Sequence, residues 1–331
     1  MSMSGSMPNT EPDTATNWLH VVAAAILDPA GRVLLSHRHA GQHQGERWEF
    51  PGGKREPGES REQALARELD EELGIGMTAA RPLIQIRHRY PDQAVLLDCW
   101  LVEGYTGIPT GREGQQTRWV PIAALPGYRF PAANRPILTA LALPDRYLIT
   151  PEPWPAAAAF LAEFETSLQA GIRLVQLRSK DLARPDLRAL AAQTLALTER
   201  YGARLLIHGD ALLAQEIGAA GVHLREQQLR QLTARPLPTE FVVGASCHDA
   251  TTLAHAERLG VDFAVLSPVR ATASHPAARP LGWQTFHTLV ATTTLPVYAL
   301  GGMSGADRDQ AFIHGAQGIA AIRGLWAGSP T

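Results

Sequence analysis

Apolar positions along the chain fall into two rhythms. Up to about residue 143 the long apolar runs "WLHVVAAAIL", "RVLLSHR" and "AVLLDCWLVEGY" are interrupted by one charged stretch, "REQALARELDEELGI". The runs predict strands of a mixed sheet. The charged stretch predicts a helix that buries Leu65, Leu69 and Leu73 on one face. A last apolar segment, "NRPILTALALP", predicts a terminal helix. From Arg146 short apolar runs recur at close intervals: "RYLIT", "IRLVQLR", "ARLLIHG", "GVHL", "FVVGAS", "FAVLSPV", "LPVYALGG" and "GIAAIRG". Alanine- and leucine-rich helical segments separate most of them. This half therefore predicts an α/β fold, a (β/α)8 barrel, with an open doubly wound sheet as the structural alternative. The expected organisation is a disordered tail at 1–17, an α+β domain at 18–143 and the barrel at 146–331. The joint, "LPDRYLITPEP", is short and contains proline, which predicts packed domains.

Composition narrows the functional classes. The 331 residues suit two cores, and 45% hydrophobic with 19% charged residues is ordinary for a soluble globular protein. A formal net charge of -2 argues against a nucleic-acid-coating or membrane-surface protein and leaves small anionic substrates open. Cys99 and Cys247 form no metal-ligand spacing and no disulfide framework, which suits a reducing cytoplasm. The opening "MSMSGSMPNTEPDTATN" lacks the basic start and apolar core of a secretory signal, and "VVAAAIL" is too short to span a bilayer. The expectation is a cytoplasmic protein without membrane or direct nucleic-acid partners.

The stretch "GGKREPGESREQALARELDEELGI" carries the chemistry. On a helix Glu68, Glu71 and Glu72 fall at i, i+3 and i+4 and share one face, where like charges repel. A solvated, salt-bridged helix is one reading. The other is a hard divalent cation held by the carboxylates, which in turn implies phosphate chemistry. Gly52 and Gly53 allow close backbone approach, with carbonyls as further oxygen ligands. Glu59 and Arg67 are spaced for an orienting ion pair. From Gly53 the chain reads Gly, five residues, Glu59, seven residues, then Arg67-Glu68-Leu69-Asp70-Glu71-Glu72-Leu73-Gly74-Ile75. This resembles the Nudix box at every specified position. The resemblance implies an α/β/α sandwich that hydrolyses nucleoside diphosphates linked to another moiety. It implies Mg²⁺, with Mn²⁺ as an alternative, on the Gly52 carbonyl, Glu68, Glu71 and Glu72, and Glu68 or Glu113 as general base.

The segments "WEFPGGK" and "FPAANRP" further resemble the MutT branch, the 8-oxo-dGTP diphosphatases that clean the nucleotide pool and so avoid DNA damage. That resemblance implies nucleotide contacts from Arg38, His43 and Asn134, and a base-and-phosphate turn at Glu49, Phe50, Pro51 and Gly52. Glu113 in "GREGQ" matches a loop glutamate that helps at the metal site, and Tyr90 sits where an aromatic walls the base. An amide such as Asn134 can both donate to and accept from a purine edge. The alternatives are loop charges for Arg38 and His43, a helix cap for Asn134 and an ordinary strand aromatic for Tyr90. Gln93 departs from the branch, which carries arginine there.

The second half resembles thiamine phosphate synthase and its relative TenI through "GIRLVQLRSKDL", "IHGDALLAQEIGAAGVHL", "GASCHD", "LSPVRATASHP" and "LPVYALGG". The resemblance implies anion binding by Gln176, Arg178 and Lys180, a family serine at Ser246 and a phosphate turn at Gly301 and Gly302. The departures are specific. The two magnesium aspartates of the family fall at Gly209 and Gln228, a pyrophosphate-contacting lysine at His275, a phosphate-site serine at Arg323 and the TenI histidine at Pro268. The leading reading is a Mg²⁺-dependent 8-oxo-dGTP pyrophosphohydrolase with a degenerate barrel that could hold a thiamine-pathway ligand. The alternatives are a bifunctional hydrolase and thiamine phosphate synthase, a hydrolase of thiamine-pathway pyrophosphates with a ligand-binding barrel, and a purely regulatory barrel. A relocated barrel site built on His208, Asp210 and His275 is a further option.

Overall fold

The computed structural model describes residues 18–39, 41, 45–152, 157–179, 182–272 and 278–327; His43, Lys180, His275 and the expected tail lie outside them. The first half contains β1 (Leu19–Ile26), β2 (Arg32–His37), β3 (Trp48–Glu49), α1 (Arg61–Leu73), β4 (Gly76–Arg89), β5 (Ala94–Thr106), β6 (Thr117–Pro121) and α2 (Arg135–Ala142). One sheet has the order β1-β5-β4 and the other β3-β2-β6. β1 runs parallel to β5, from Leu19 opposite Val95 to Ile26 opposite Val102. Its alternation then sorts side chains between two cores. Val22, Ala24 and Ile26 pack with Leu65, Leu69 and Leu73 of α1, while Ala23 and Ala25 share a core with Ile137 and Ala140 of α2. The result is the expected α/β/α sandwich.

α1 starts and stops where local chemistry requires. Ser60 and Gln63 form a reciprocal capping box, and Gly74 closes the helix at φ +70° with its N–H on the Asp70 carbonyl. Leu65, Leu69 and Leu73 are fully buried, so the charged face is held outward toward the first strand's neighbouring turn.

The second half alternates strand and helix throughout: β7 (Arg146–Ile149), α3 (Ala157–Gln169), β8 (Leu174–Leu177), α4 (Arg184–Arg200), β9 (Arg204–His208), α5 (Ala211–Ile217), β10 (Gly221–Leu224), α6 (Glu226–Gln231), β11 (Val242–Cys247), α7 (Ala250–Leu259), β12 (Phe263–Leu266), α8 (Gly282–Val290), β13 (Val297–Leu300), α9 (Arg308–Ile313) and β14 (Gly318–Ala321). All strand pairs are parallel, and β14 pairs with β7 through Ile319 opposite Arg146 and Ala320 opposite Tyr147. That pairing closes the barrel and removes the open-sheet alternative. Tyr147, Phe263 and Tyr298 fill the interior, with ring centroids 5.3 Å apart for Tyr147–Phe263 and for Phe263–Tyr298.

The halves meet at the N-terminal ends of the barrel strands. Gln317, just before β14, donates to the Ala140 and Leu143 carbonyls at 3.0 Å each, and Arg204 donates to the Ala142 carbonyl at 2.6 Å. Arg81 of β4 stacks over Phe312 at 4.0 Å. The C-terminal mouth of the barrel therefore opens away from this junction. Among the described residues no helix is long and apolar enough to cross a membrane. Leu69→Ala removes the centre of the α1 face and is expected to cost about 2–5 kcal/mol. Urea unfolding of the variant measures it, and an unchanged transition would contradict the packing described.

Candidate active site

The turn after β3 hangs from β1 by two bonds, Ala24 N–H to the Pro51 carbonyl at 2.7 Å and Val22 N–H to the Gly53 carbonyl at 2.9 Å. Gly52 lies at φ +142°, and a Cβ there would overlap the Val22 carbonyl. A Cβ on Gly53 would overlap the Glu68 carboxylate. Close approach to the strand thus requires glycine at 52, while at 53 the absent side chain leaves room for the Glu68 carboxylate. Since the Gly53 carbonyl is engaged by Val22, it is not the open ligand that the sequence allowed.

Arg67 gathers the box. Its Nε and Nη2 reach the two Glu59 oxygens at 2.7 and 3.1 Å, Nη1 reaches Glu68 at 2.9 Å and Glu71 at 3.0 Å, and Nη2 reaches the Lys54 carbonyl at 3.0 Å. This fork holds Glu59 down at about 2, with a backbone bond from Glu56 adding to it. Glu72 is turned the other way, where the Gly52 N–H donates to its carboxylate at 3.0 Å. Burial pushes Glu72 up to about 8; the Gly52 bond opposes this, and the charges of Glu49, Glu113 and Glu68 reinforce it. Burial also raises Glu68, against the pull of Arg67.

The expected three-carboxylate set is only partly assembled. Glu68 and Glu72 line a cavity of about 550 Å³ together with Gly52 and Glu113. Glu71 does not line it: its side chain is 56% exposed and drawn to Arg67, one helical turn back. Among the described residues no group of three His, Cys, Asp or Glu side chains is gathered as a metal would need. The donor chemistry nonetheless fits a hard divalent ion, since Glu68, Glu72 and Glu113 offer carboxylate oxygens and the crowded carboxylates repel one another.

The same cavity takes in Arg38, Glu49, Phe50, Tyr90, Gln93 and Asn134. Arg38 and Glu49 form an ion pair, and burial lifts Glu49 to about 6 against that attraction. Phe50 is buried and stacks on Phe130 at 5.6 Å. Pro51 is absent from the lining and acts through its carbonyl on Ala24. Tyr90 meets His88 edge-on at 4.5 Å. Asn134 stands at the start of α2 but makes no side-chain capping bond, so the cap reading fails and its buried amide stays with the cavity. Sequence reasoning missed Ser36, whose buried hydroxyl lines the cavity with no hydrogen-bond partner among the described residues. The available signal was a polar residue where the alternation of β2 expects an apolar one.

A second cavity, of about 630 Å³, occupies the barrel mouth. Gln176 sits deep in it, hydrogen-bonded to His208 and accepting from Tyr147 at 3.3 Å. Tyr147 also meets His223 at 3.0 Å, and His223 meets Ser246 at 2.9 Å. Burial, helped by His208, pushes His223 down to about 3, so the His223 ring is neutral near neutral pH. Neither His223 nor Tyr147 was singled out from sequence, because each occupies a strand position that reads as core. Arg178, expected to bind an anion, lines the same mouth and also faces Glu152 at 3.5 Å. Gly301 and Gly302 line the mouth at φ +108° and +65°, where a Cβ would come within 2.9 Å of Pro268 and 2.8 Å of the Ala271 carbonyl, so loop packing already requires glycine.

Comparison with known proteins agrees with both halves. The thiamine monophosphate synthase family model matches residues 146–325, and the NUDIX domain model matches residues 22–140. A putative thiamine-phosphate synthase 2 of Aquifex aeolicus is 40% identical over 163 residues, covering 49% of this chain and 88% of that protein. The 8-oxo-dGTP diphosphatase of Escherichia coli is 37% identical over 123 residues, covering 37% of this chain and 95% of that protein. A solved MutT structure from work on Aliivibrio salmonicida and Vibrio cholerae is 41% identical, covers 38% of this chain and 97% of its own, and superposes with a TM-score of 0.34. Nudix hydrolases are generally dependent on a divalent metal, and both families act on small molecules. The chain therefore belongs to two families at once, as a Nudix hydrolase like the 8-oxo-dGTP diphosphatases fused to a C-terminal domain of the thiamine monophosphate synthase family.

Proposed function

We propose that the Nudix domain, residues 18–143, hydrolyses 8-oxo-dGTP to 8-oxo-dGMP and pyrophosphate, and that the barrel, residues 146–331, is a separate unit that does not take part in this step. The observation that carries the proposal is one cavity lined both by the crowded carboxylates Glu68 and Glu72 and by Arg38, Glu49, Tyr90 and Asn134. A Mg²⁺ ion, or Mn²⁺ in its place, held by Glu68, Glu72 and the Gly52 carbonyl with Glu71 in support, would supply positive charge against the phosphates and polarise the attacking water. Arg67 fixes Glu68 and Glu71 relative to the loop. Glu113 is the favoured general base, because its carboxylate has no ion-pair partner among the described residues while Glu68 is tied to Arg67.

Water adds to the β phosphorus, and its proton passes to Glu113. The bond from that phosphorus to the oxygen bridging the α and β positions breaks, and the bridging oxygen leaves with the nucleoside monophosphate. The turn Glu49–Gly52 seats the base and phosphates, Arg38 and His43 contact the nucleotide, and Tyr90 walls the base. Asn134 presents both a donor and an acceptor to the purine edge, which suits discrimination of an oxidised guanine. A thiamine pyrimidine would not need this purine-facing set, so the thiamine-pathway reading ranks second.

Glu72→Gln is expected to abolish Mg²⁺-dependent turnover while circular dichroism stays that of the parent. The same variant tests the electrostatics in metal-free protein. An unfolded carboxylate releases its proton near 4.5 and folded Glu72 near 8, so stability falls as pH rises between those values and levels off above them. Thermal melts in EDTA should show that slope reduced in Glu72→Gln, and an equal slope would remove Glu72 as its source. Asn134→Ala is expected to lower kcat/KM for 8-oxo-dGTP by about tenfold or more and for dGTP by less than about twofold. Equal losses on the two substrates would take Asn134 out of base discrimination.

A further inference from the structure

The barrel family implies a magnesium ion held by two aspartates, and the residues present do not fit it. The two positions are Gly209 and Gln228, and they are joined to each other: Gln228 donates to the Gly209 carbonyl at 2.7 Å. The Arg225 side chain donates to the Gln228 amide oxygen at 3.2 Å. A Cβ built on Gly209 would lie 2.9 Å from that amide oxygen and 3.1 Å from Arg225 Nε. The direction an aspartate would take at residue 209 is thus occupied by the ends of the Gln228 and Arg225 side chains, a guanidinium nitrogen among them.

The charge around the mouth points the same way. Arg178, Arg225, Arg279 and Arg323 line the cavity, while Glu226 is the one carboxylate among its described lining residues. Glu226 is already held by Arg230 at 2.7 Å, and Arg178 already faces Glu152. Arg225, Arg279 and Arg323 have no carboxylate partner among the described residues. Such a mouth repels a divalent cation and attracts an anion, and low-dielectric walls strengthen both effects. Arg225 follows β10 and Arg323 follows β14, four strands apart in a closed ring of eight, so fixed positive charge stands on opposite sides of one cavity.

We propose that the barrel mouth binds a phosphorylated small molecule without a divalent ion, the Arg225 guanidinium standing in for the metal. The planar fork of arginine suits two oxygens of a phosphate or diphosphate, and it needs no metal to neutralise them. The ligand class is a small phosphate or diphosphate ester, held at one side by Arg225 and met across the mouth by Arg323. This assignment is independent of the reaction proposed for the Nudix domain.

The test is calorimetric titration of the full-length protein with inorganic pyrophosphate, once in EDTA and once in Mg²⁺. Binding is expected in EDTA. Arg225→Gln should weaken it about tenfold or more, and Arg225→Lys, which keeps the charge, should recover part of the loss. Arg38→Gln, in the Nudix cavity, should leave that binding unchanged, and Nudix turnover in Arg225→Gln should match the parent, which also reports an intact fold. The proposal is overturned by absence of binding in EDTA, by binding that appears only with Mg²⁺, by parental affinity in Arg225→Gln, or by a loss that follows Arg38→Gln instead.

Discussion

One guanidinium holds the Nudix site in shape. Arg67 joins the loop to the helix, taking both oxygens of Glu59 and the Lys54 carbonyl on one side and Glu68 and Glu71 on the other. Without it, the carboxylates on one helical face would repel one another and the loop behind the glycine turn would lose its anchor. Each bond is charge-assisted or made to a carbonyl, and the fork is geometrically fixed, so position and charge balance are set together. The buried leucines of α1 supply the floor, the β1 hydrogen bonds supply the wall, and Arg67 decides where the carboxylates point between them.

Much of this was legible in the chain because it is local. The glycines, Glu59, Arg67 and the three glutamates lie within about two dozen residues, so spacing alone fixes which side chains can meet. The eight barrel strands were legible for a related reason: each is a short apolar run between helical segments, and a strand buried on both faces needs nothing else. What the sequence could not show depends on distant pairings. Arg178 meets Glu152 across the first two strands of the barrel. The chain from Ser246 through His223 and Tyr147 to Gln176 joins four strands. Glu71 illustrates a finer limit. Helical spacing puts it on the face of Glu68 and Glu72, but a competing bond to Arg67 turns it outward.

The two cavities are built on different terms. In the Nudix half carboxylates are crowded until burial raises Glu72 and Glu68, an arrangement that favours a bound cation. In the barrel arginines outnumber carboxylates around the mouth, an arrangement that favours a bound anion. The halves meet at the strand N-termini through Gln317, Arg204 and Arg81, while the barrel mouth faces the other way. Two families are fused in one chain, and each half carries its own cavity.

The measurement that tests the central claim most directly is Mg²⁺-dependent pyrophosphate release by the full-length protein. It would compare 8-oxo-dGTP, dGTP and the pyrimidine pyrophosphate of thiamine synthesis at low micromolar concentration. A clear preference for 8-oxo-dGTP is expected, with 8-oxo-dGMP and pyrophosphate as products. Preference for the pyrimidine pyrophosphate would contradict it and would mean that the cavity around Asn134 is not a purine site.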